Sequence, residues 1–136
     1  MAQLMHIYSR QLIPKPRWQR TVTINMCHNI YSRVNENFSD AEIQSVWAKG
    51  KIIPEYDPAQ YRQDIYGAWI AKNAYGDINS LYGWEIDHIF PKSKGGSDRL
   101  SNLQPLQWEN NRHKGDSIPP PSQGKVTSSG NRNIHR

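Results

Sequence analysis

The residues best equipped for chemistry lie in the stretch 84–116. Asp87 and His88 are adjacent, Asn102 follows a loop holding Gly95 and Gly96, and Asn111, Arg112, His113 and Lys114 come close behind. Hydrolysis of a phosphodiester needs a deprotonated water, neutralisation of the charge that develops on the phosphate, and stabilisation of the leaving oxygen. A neutral imidazole is a suitable base near neutral pH, and His88 supplies one. A hard divalent cation held by oxygen atoms is a suitable Lewis acid. Asp87 offers a carboxylate for it and Asn111 an amide oxygen. Few protein ligands are needed, because Mg2+ keeps waters and takes substrate phosphate oxygens. Arg112 and Lys114 can then hold the phosphate. His113 either touches metal or phosphate or faces solvent from a helix. Alone, an Asp-His dipeptide is more often a surface pair; the joint occurrence, in order, carries the reading.

Such residues act together only if local structure positions them. Trp84, Ile86 and Ile89 give a short apolar strand, on which the adjacent side chains of Asp87 and His88 diverge. Pro91, Gly95 and Gly96 mark a loop that Asn102 ends. Residues 103–106 form a second strand, and 108–114 a helix stopped by Gly115. Upstream, Ser39-Asp40-Ala41-Glu42 is a capping box. Ile43, Val46 and Trp47 share a helical face and Gly50 is a natural stop, which predicts a helix over 40–49. Asp57-Pro58 predicts a second, short helix through Asp64. Ala68 and Ile70 belong to the core, and Trp47, Tyr61, Tyr66 and Trp69 read as core rather than as base-stacking platforms. Arg62 and Asp64 either pair or line a cleft.

The stretch 84–116 resembles the HNH endonuclease family. The resemblance rests on Asp87-His88-Ile89-Phe90-Pro91, Gly95-Gly96, Asn102-Leu103-Gln104-Pro105-Leu106, and Asn111-Arg112-His113-Lys114-Gly115-Asp116. More loosely, Tyr75-Gly76 and Tyr82-Gly83-Trp84 look like the lead-in of stand-alone bacterial and phage members. It implies an α+β fold around a ββα-metal core at 84–116, with a helical segment before it. It also implies Asp87 as first metal ligand and His88 as general base. Asn102 would pin the loop and help to orient the base, and Asn111, standing where the family name has His, would be the second metal ligand. The implied cofactor is one divalent ion, Mg2+ or Mn2+, and the implied reaction is hydrolysis of DNA to 5′-phosphate and 3′-hydroxyl ends, one strand per encounter. Many members carry a structural zinc on paired Cys; the matching positions here are Gln107 and Asn110, so no structural zinc is expected and packing, with Trp108 a candidate, must hold the helix. A binding-only module and an RNA-directed nuclease stand as alternatives.

The 136 residues amount to one ordinary domain. Hydrophobic content is a low 36%, but five Trp and seven Tyr bury large areas. The net charge of +5 is unevenly spread, because all 12 acidic residues fall between Glu36 and Asp116. Residues 1–38 read as a basic arm of weak structure, with strand character at 21–24 and a further short piece at 27–31. Residues 39–116 read as the nuclease domain. Residues 117–136, with Pro119-Pro120-Pro121 and then Ser, Gly, Asn and Gln, read as a disordered basic tail. Basic arms are either solvated tails or contacts to a polyanion such as DNA. A single cysteine, Cys27, excludes an intrachain disulfide framework and a Cys-based zinc ribbon. It reads as a small buried residue, and it fits a reducing compartment. His6, His28 and His135 read as non-catalytic. With no apolar signal segment or membrane-length run, a soluble, cytoplasmic protein is expected; no dimerisation signature is seen, which leaves the oligomeric state open and a monomer plausible.

Overall fold

The computed structural model describes residues 38–136. Of the basic arm read over 1–38, all but Phe38 lies outside the described residues, as do the strand at 21–24, the piece at 27–31 and Cys27. Ser39 and Glu42 form the expected capping box: the Glu42 amide donates to Ser39 Oγ (3.3 Å) and the Ser39 amide to Glu42 Oε2 (2.7 Å). The helix they open, α1 (Asp40–Trp47), ends slightly before the predicted 49. Past Trp47 the turn tightens, with the Lys49 and Gly50 amides donating to the carbonyls of Val46 and Trp47 three residues back, and the Arg62 guanidinium takes the unpaired carbonyls of Ala48 and Gly50.

The predicted helix after Asp57 is a single turn. Asp57 Oδ1 caps the Ala59 amide at 2.9 Å, and the Gln60 and Tyr61 amides both reach the Asp57 carbonyl. The chain then straightens into β1 (Tyr61–Gln63), paired antiparallel with β2 (Trp69–Ala71). Tyr61 and Gln63 are both buried, and a period of two can bury both on one face where a helix cannot. The turn between them needs a positive φ, which Gly67 supplies at 81°.

A 3-10 turn (Lys72–Ala74) and a loop lead to β3 (Trp84–His88), which pairs antiparallel with β4 (Leu103–Gln107) in a register setting Asp87 opposite Gln104 and His88 opposite Leu103. The helix α2 (Trp108–Lys114) follows directly. This is the strand, loop, strand, helix order expected from the sequence, and helices mixed with small antiparallel sheets make the fold α+β. Pro105 sits within β4, tolerated because a two-stranded sheet leaves one edge free of ladder bonds. The core joins this unit to what precedes it. Trp84 lies 5.4 Å from Trp47 and 4.8 Å from Tyr75, with Val46, Ile70 and Leu103 around them. A second cluster holds Tyr61, Trp69, Ala71 and Ala74. Trp47, Tyr61 and Trp69 are thus core, and Tyr66 is half-buried.

The C-terminal stretch corrects the sequence reading. Residues 117–136 are not a disordered tail, and the packed structure does not end at 116. Val126–Ser129 (β5) and Arg132–His135 (β6) form a hairpin that buries Val126 and Asn133. Asn133 Oδ1 accepts from the Trp69 amide (2.7 Å), and its Nδ2 donates to the carbonyls of Trp69 (2.8 Å) and Leu81 (3.0 Å). The Trp69 indole donates to the Gly130 carbonyl at 2.8 Å. A segment poor in apolar residues is held here by polar side chains that satisfy buried backbone groups. Composition does not register that kind of anchor.

Asp64 ties the pieces together. Its Oδ1 accepts from the amides of Tyr66 and Ala68, both at 2.9 Å, and its Oδ2 from the Gln107 amide and Asn110 Nδ2, both at 3.0 Å. Arg62 makes no pair with it and donates to carbonyls instead. Asn110 passes the link on, exchanging hydrogen bonds of 2.8 and 2.9 Å with the backbone of Val126. Gln107 Oε1 caps α2 at the Glu109 and Asn110 amides, while its Nε2 donates to the Leu81 carbonyl. Side-chain hydrogen bonds at 107 and 110 thus hold α2, with the Trp108 indole adding a bond of 2.7 Å to the Ser80 carbonyl.

Replacing Asn133 with Ala strands the buried amide and carbonyl of Trp69, while the Leu81 carbonyl keeps Gln107 Nε2, so urea unfolding is expected to show a loss of about 1–3 kcal/mol. Deleting 126–136 is expected to cost more. Unchanged unfolding midpoints for both variants would mean that the hairpin is not docked.

Candidate functional site

Alternation along β3 sends Glu85 and Asp87 to one face, against α2, and both are 5% exposed. Lys114, at the end of α2, lies 1% exposed over that face. Its Nζ donates to Asp87 Oδ1 and to the His88 carbonyl, each at 2.9 Å. Gln104, across the ladder, donates from Nε2 to Asp87 Oδ2 at 2.8 Å. Nearly a turn before Lys114, Asn111 Nδ2 donates to Glu85 Oε2 at 2.8 Å. Arg112 is exposed, 3.5 Å from Glu85 Oε1 and 5.4 Å over the Trp108 ring.

Asp87 and Asn111 therefore both reach the β3–α2 seam, but their shortest contacts are to other partners. Among the described residues no three His, Cys, Asp or Glu side chains converge to hold a metal ion. The seam nonetheless offers oxygen donors from Glu85, Asp87 and Asn111, the donor chemistry that suits a hard divalent cation. Such an ion on Asp87 would share that carboxylate with the Lys114 ammonium. Lys114 itself departs from its expected role. A buried ammonium engaged by Asp87 and the His88 carbonyl is not placed to grip an external phosphate, and its work is to neutralise Asp87 within the seam.

His88 leaves the strand on the loop side. Its Nε2 lies 2.7 Å from Asp98 Oδ1, and Lys92 Nζ lies 3.2 Å from Asp98 Oδ2. The hydrogen bond from His88, with Lys92 beside it, holds the Asp98 carboxyl below its ordinary value of 3.8. An ionised carboxylate only accepts, so Nε2 carries a proton, and the tautomer that matches this contact has its lone pair on Nδ1. Asn102 closes the same loop. Its Oδ1 accepts from the Phe90 amide (2.8 Å), and its Nδ2 donates to the carbonyls of Phe90 (3.1 Å) and Ser97 (2.8 Å). Its own carbonyl takes the Ile89 amide at 2.8 Å. Gly96 admits no side chain, since a Cβ there would sit 1.9 Å from the Phe90 carbonyl oxygen. His113 is exposed on the outer face of α2, sharing a shallow depression with Arg112 and Lys125. His135 pairs with Glu109 at 2.9 Å.

Four contributors escape a reading of the motif alone: Asp98, Glu85, Gln104 and Asp64. Asp98 has a legible signal as the only carboxylate between His88 and Asn102. Glu85 has one too, two residues before Asp87 on a strand and hence on its face. Gln104 depends on strand register and Asp64 on tertiary packing.

Residues 72–120 match the family model described as HNH endonuclease. That segment runs from the 3-10 turn through β3, the loop, β4 and α2, and so contains Glu85, Asp87, His88, Asp98, Asn102, Asn111 and Lys114. No curated protein and no solved structure matches the chain. Among the described residues no helix is long and apolar enough to cross a membrane.

Nitrogen-15 NMR of labelled histidine at neutral pH is expected to show His88 protonated at Nε2, with Asp98→Ala converting it to a tautomer mixture. A spectrum untouched by that substitution would remove Asp98 from the site. Lys114→Ala, which leaves Asp87 buried and unpaired, is expected to cost about 3–5 kcal/mol in denaturant unfolding; a cost below about 1 kcal/mol would show that water reaches the carboxylate.

Proposed function

We propose that the chain is a metal-dependent DNA endonuclease with His88 as general base. The observation that carries the reading is the pairing, within a segment similar to HNH endonucleases, of a histidine held at Nε2 by Asp98 with a buried carboxylate at the preceding residue. Nδ1 of His88 accepts a proton from the attacking water. Asp98 keeps the ring in the right tautomer and stabilises the imidazolium that forms, as a carboxylate does for a catalytic histidine in general. Asn102 supports both by closing the loop that carries Asp98. Asp87 and Asn111, with Glu85 orienting Asn111, would hold one divalent ion, Mg2+ or Mn2+ by donor type; when bound it offsets charge developing on the phosphate and on the leaving 3′-oxygen. Lys114 sets the position of Asp87 from inside. Arg112 and His113 on the exposed face of α2 are the phosphate contacts on that side. A single site cuts one strand per encounter, so the expected product of supercoiled plasmid is the nicked circle, with 5′-phosphate and 3′-hydroxyl ends.

Incubation of supercoiled plasmid with Mg2+, with Mn2+ and with chelator tests the reading. Nicking with metal and none with chelator is expected. His88→Ala is expected to reduce the rate by about 10²–10⁴-fold while gel-shift affinity for DNA stays within about twofold, since a base contributes to the transition state rather than to binding. DNA binding without metal-dependent nicking would make the chain a binding module, and preferential cutting of RNA would redirect the substrate.

A further inference from the structure

A cleft of about 590 Å³ separates the β1–β2 turn from the β3–β4 unit. Its lining includes Lys49, Lys51, Ile65 and Tyr66, together with Ile89 and Gln104. None of the first four belongs to the segment similar to HNH endonucleases. The cleft reaches the site through Gln104, whose Nε2 donates to Asp87 Oδ2. Tyr66 lies within the field of the same carboxylate. Its phenol is pushed above its ordinary value by burial first and then by the charge of Asp87.

The lining has a consistent chemistry. Lys49 is braced by the carbonyls of Leu100 and Leu103, which leaves its charge uncancelled on the rim. Lys51 is exposed and has no ion pair among the described residues. Among the described residues the one carboxylate of the lining, Asp64, is buried under its own donors. Ile65 is 63% exposed and Ile89 47% exposed, so two large apolar side chains face water across a basic groove. Two cations call for an anion, and two isoleucines beside them call for something apolar attached to it. The volume lies within the roughly 300–1,000 Å³ that accommodates a small ligand, enough for a short piece of one nucleic-acid strand and too little for a duplex.

We propose that this cleft takes the single DNA strand next to the scissile phosphate, with Lys49 and Lys51 meeting its phosphates and Ile65 and Ile89 its sugar edges. The inference rests on the endonuclease reading and adds a path for the substrate to it. Deoxyribose suits the apolar lip, where a ribose 2′-hydroxyl would lose water without gaining a partner. Cations outside the motif thus position the strand while His88 acts on it.

The test uses the full chain in chelator, so that nothing is cut, with a short fluorescent single-stranded DNA. Lys51→Glu is expected to weaken binding about five- to tenfold and to make the slope of log affinity against log salt shallower by at least about 0.7. Lys72→Glu, a like charge reversal away from this cleft, is expected to leave both within error. A benzophenone side chain at position 65 is expected to cross-link the DNA under ultraviolet light, and the same group at the exposed position 134 is not. Wild-type affinity and slope in Lys51→Glu, no cross-link from position 65, or no binding of DNA by the wild type overturns the proposal. Stronger cross-linking of an RNA of the same sequence also overturns it. A protein that binds and cross-links as expected but never nicks defeats the endonuclease reading alone. One that nicks without a cross-link from position 65 defeats the cleft alone.

Discussion

The carboxylate of Asp64 accepts hydrogen bonds from its own hairpin turn, from the last residue of β4 and from the side chain of Asn110 on α2. Through Asn110 the connection reaches Val126 on the C-terminal hairpin. Three segments distant in sequence therefore meet at one buried acid. Burial pushes its pKa above the ordinary 3.8, and the hydrogen bonds it accepts pull the other way. A buried acceptor with this many donors is a demanding element, because losing any one strands a polar group out of water. It also dictates geometry: a carboxylate served by donors from several directions admits few relative placements of the pieces that supply them. Gln107 and Asn110, where the resembled family often has cysteines, are side chains of this network.

The placement matters because the candidate site is a seam between two of those pieces. Glu85 and Asp87 come from β3, and Asn111 and Lys114 from α2, so their meeting depends on how α2 is seated at the end of β4. Gln107 caps the start of α2 and Asp64 holds the Gln107 amide. At the other end Lys114 reaches across to Asp87 and the His88 carbonyl. The helix is therefore fastened at both ends by buried polar contacts. His88 is governed separately, by a loop that Asn102 closes and Asp98 occupies. The carboxylate and the imidazole, neighbours in sequence, thus answer to different parts of the fold.

Much of this was legible in the residues. The capping box at Ser39, the apolar alternation from Trp84, the Gly-Gly loop and the helix ended by Gly115 all state local rules, and local rules are what a sequence expresses directly. Asp87, His88, Asn102 and Asn111 could be singled out because types and spacing sufficed. Other features failed for identifiable reasons. Asp57-Pro58 is a sound helix start, but burying both Tyr61 and Gln63 drew the chain into a strand. The tail looked disordered because it lacks apolar residues, whereas Asn133 and Asn110 anchor it through hydrogen bonds. Lys114 looked like a phosphate contact because a lysine on a predicted helix is ordinarily exposed; nothing local reveals that this one lies over Asp87.

By itself the sequence determined the order of strand, loop, strand and helix, the inventory of base, carboxylate and amide within it, and the resemblance those residues carry. These follow from backbone propensity and residue chemistry over a few positions. Only the tertiary structure decided which partner each group takes: Asp98 for His88, Lys114 and Gln104 for Asp87, Glu85 for Asn111, and Asp64 for the junction of the β1–β2 turn with β4 and α2. Those choices depend on distances between segments far apart in the chain. They are settled largely by the need of buried polar groups for partners, which among the described side chains the Trp84 indole alone lacks.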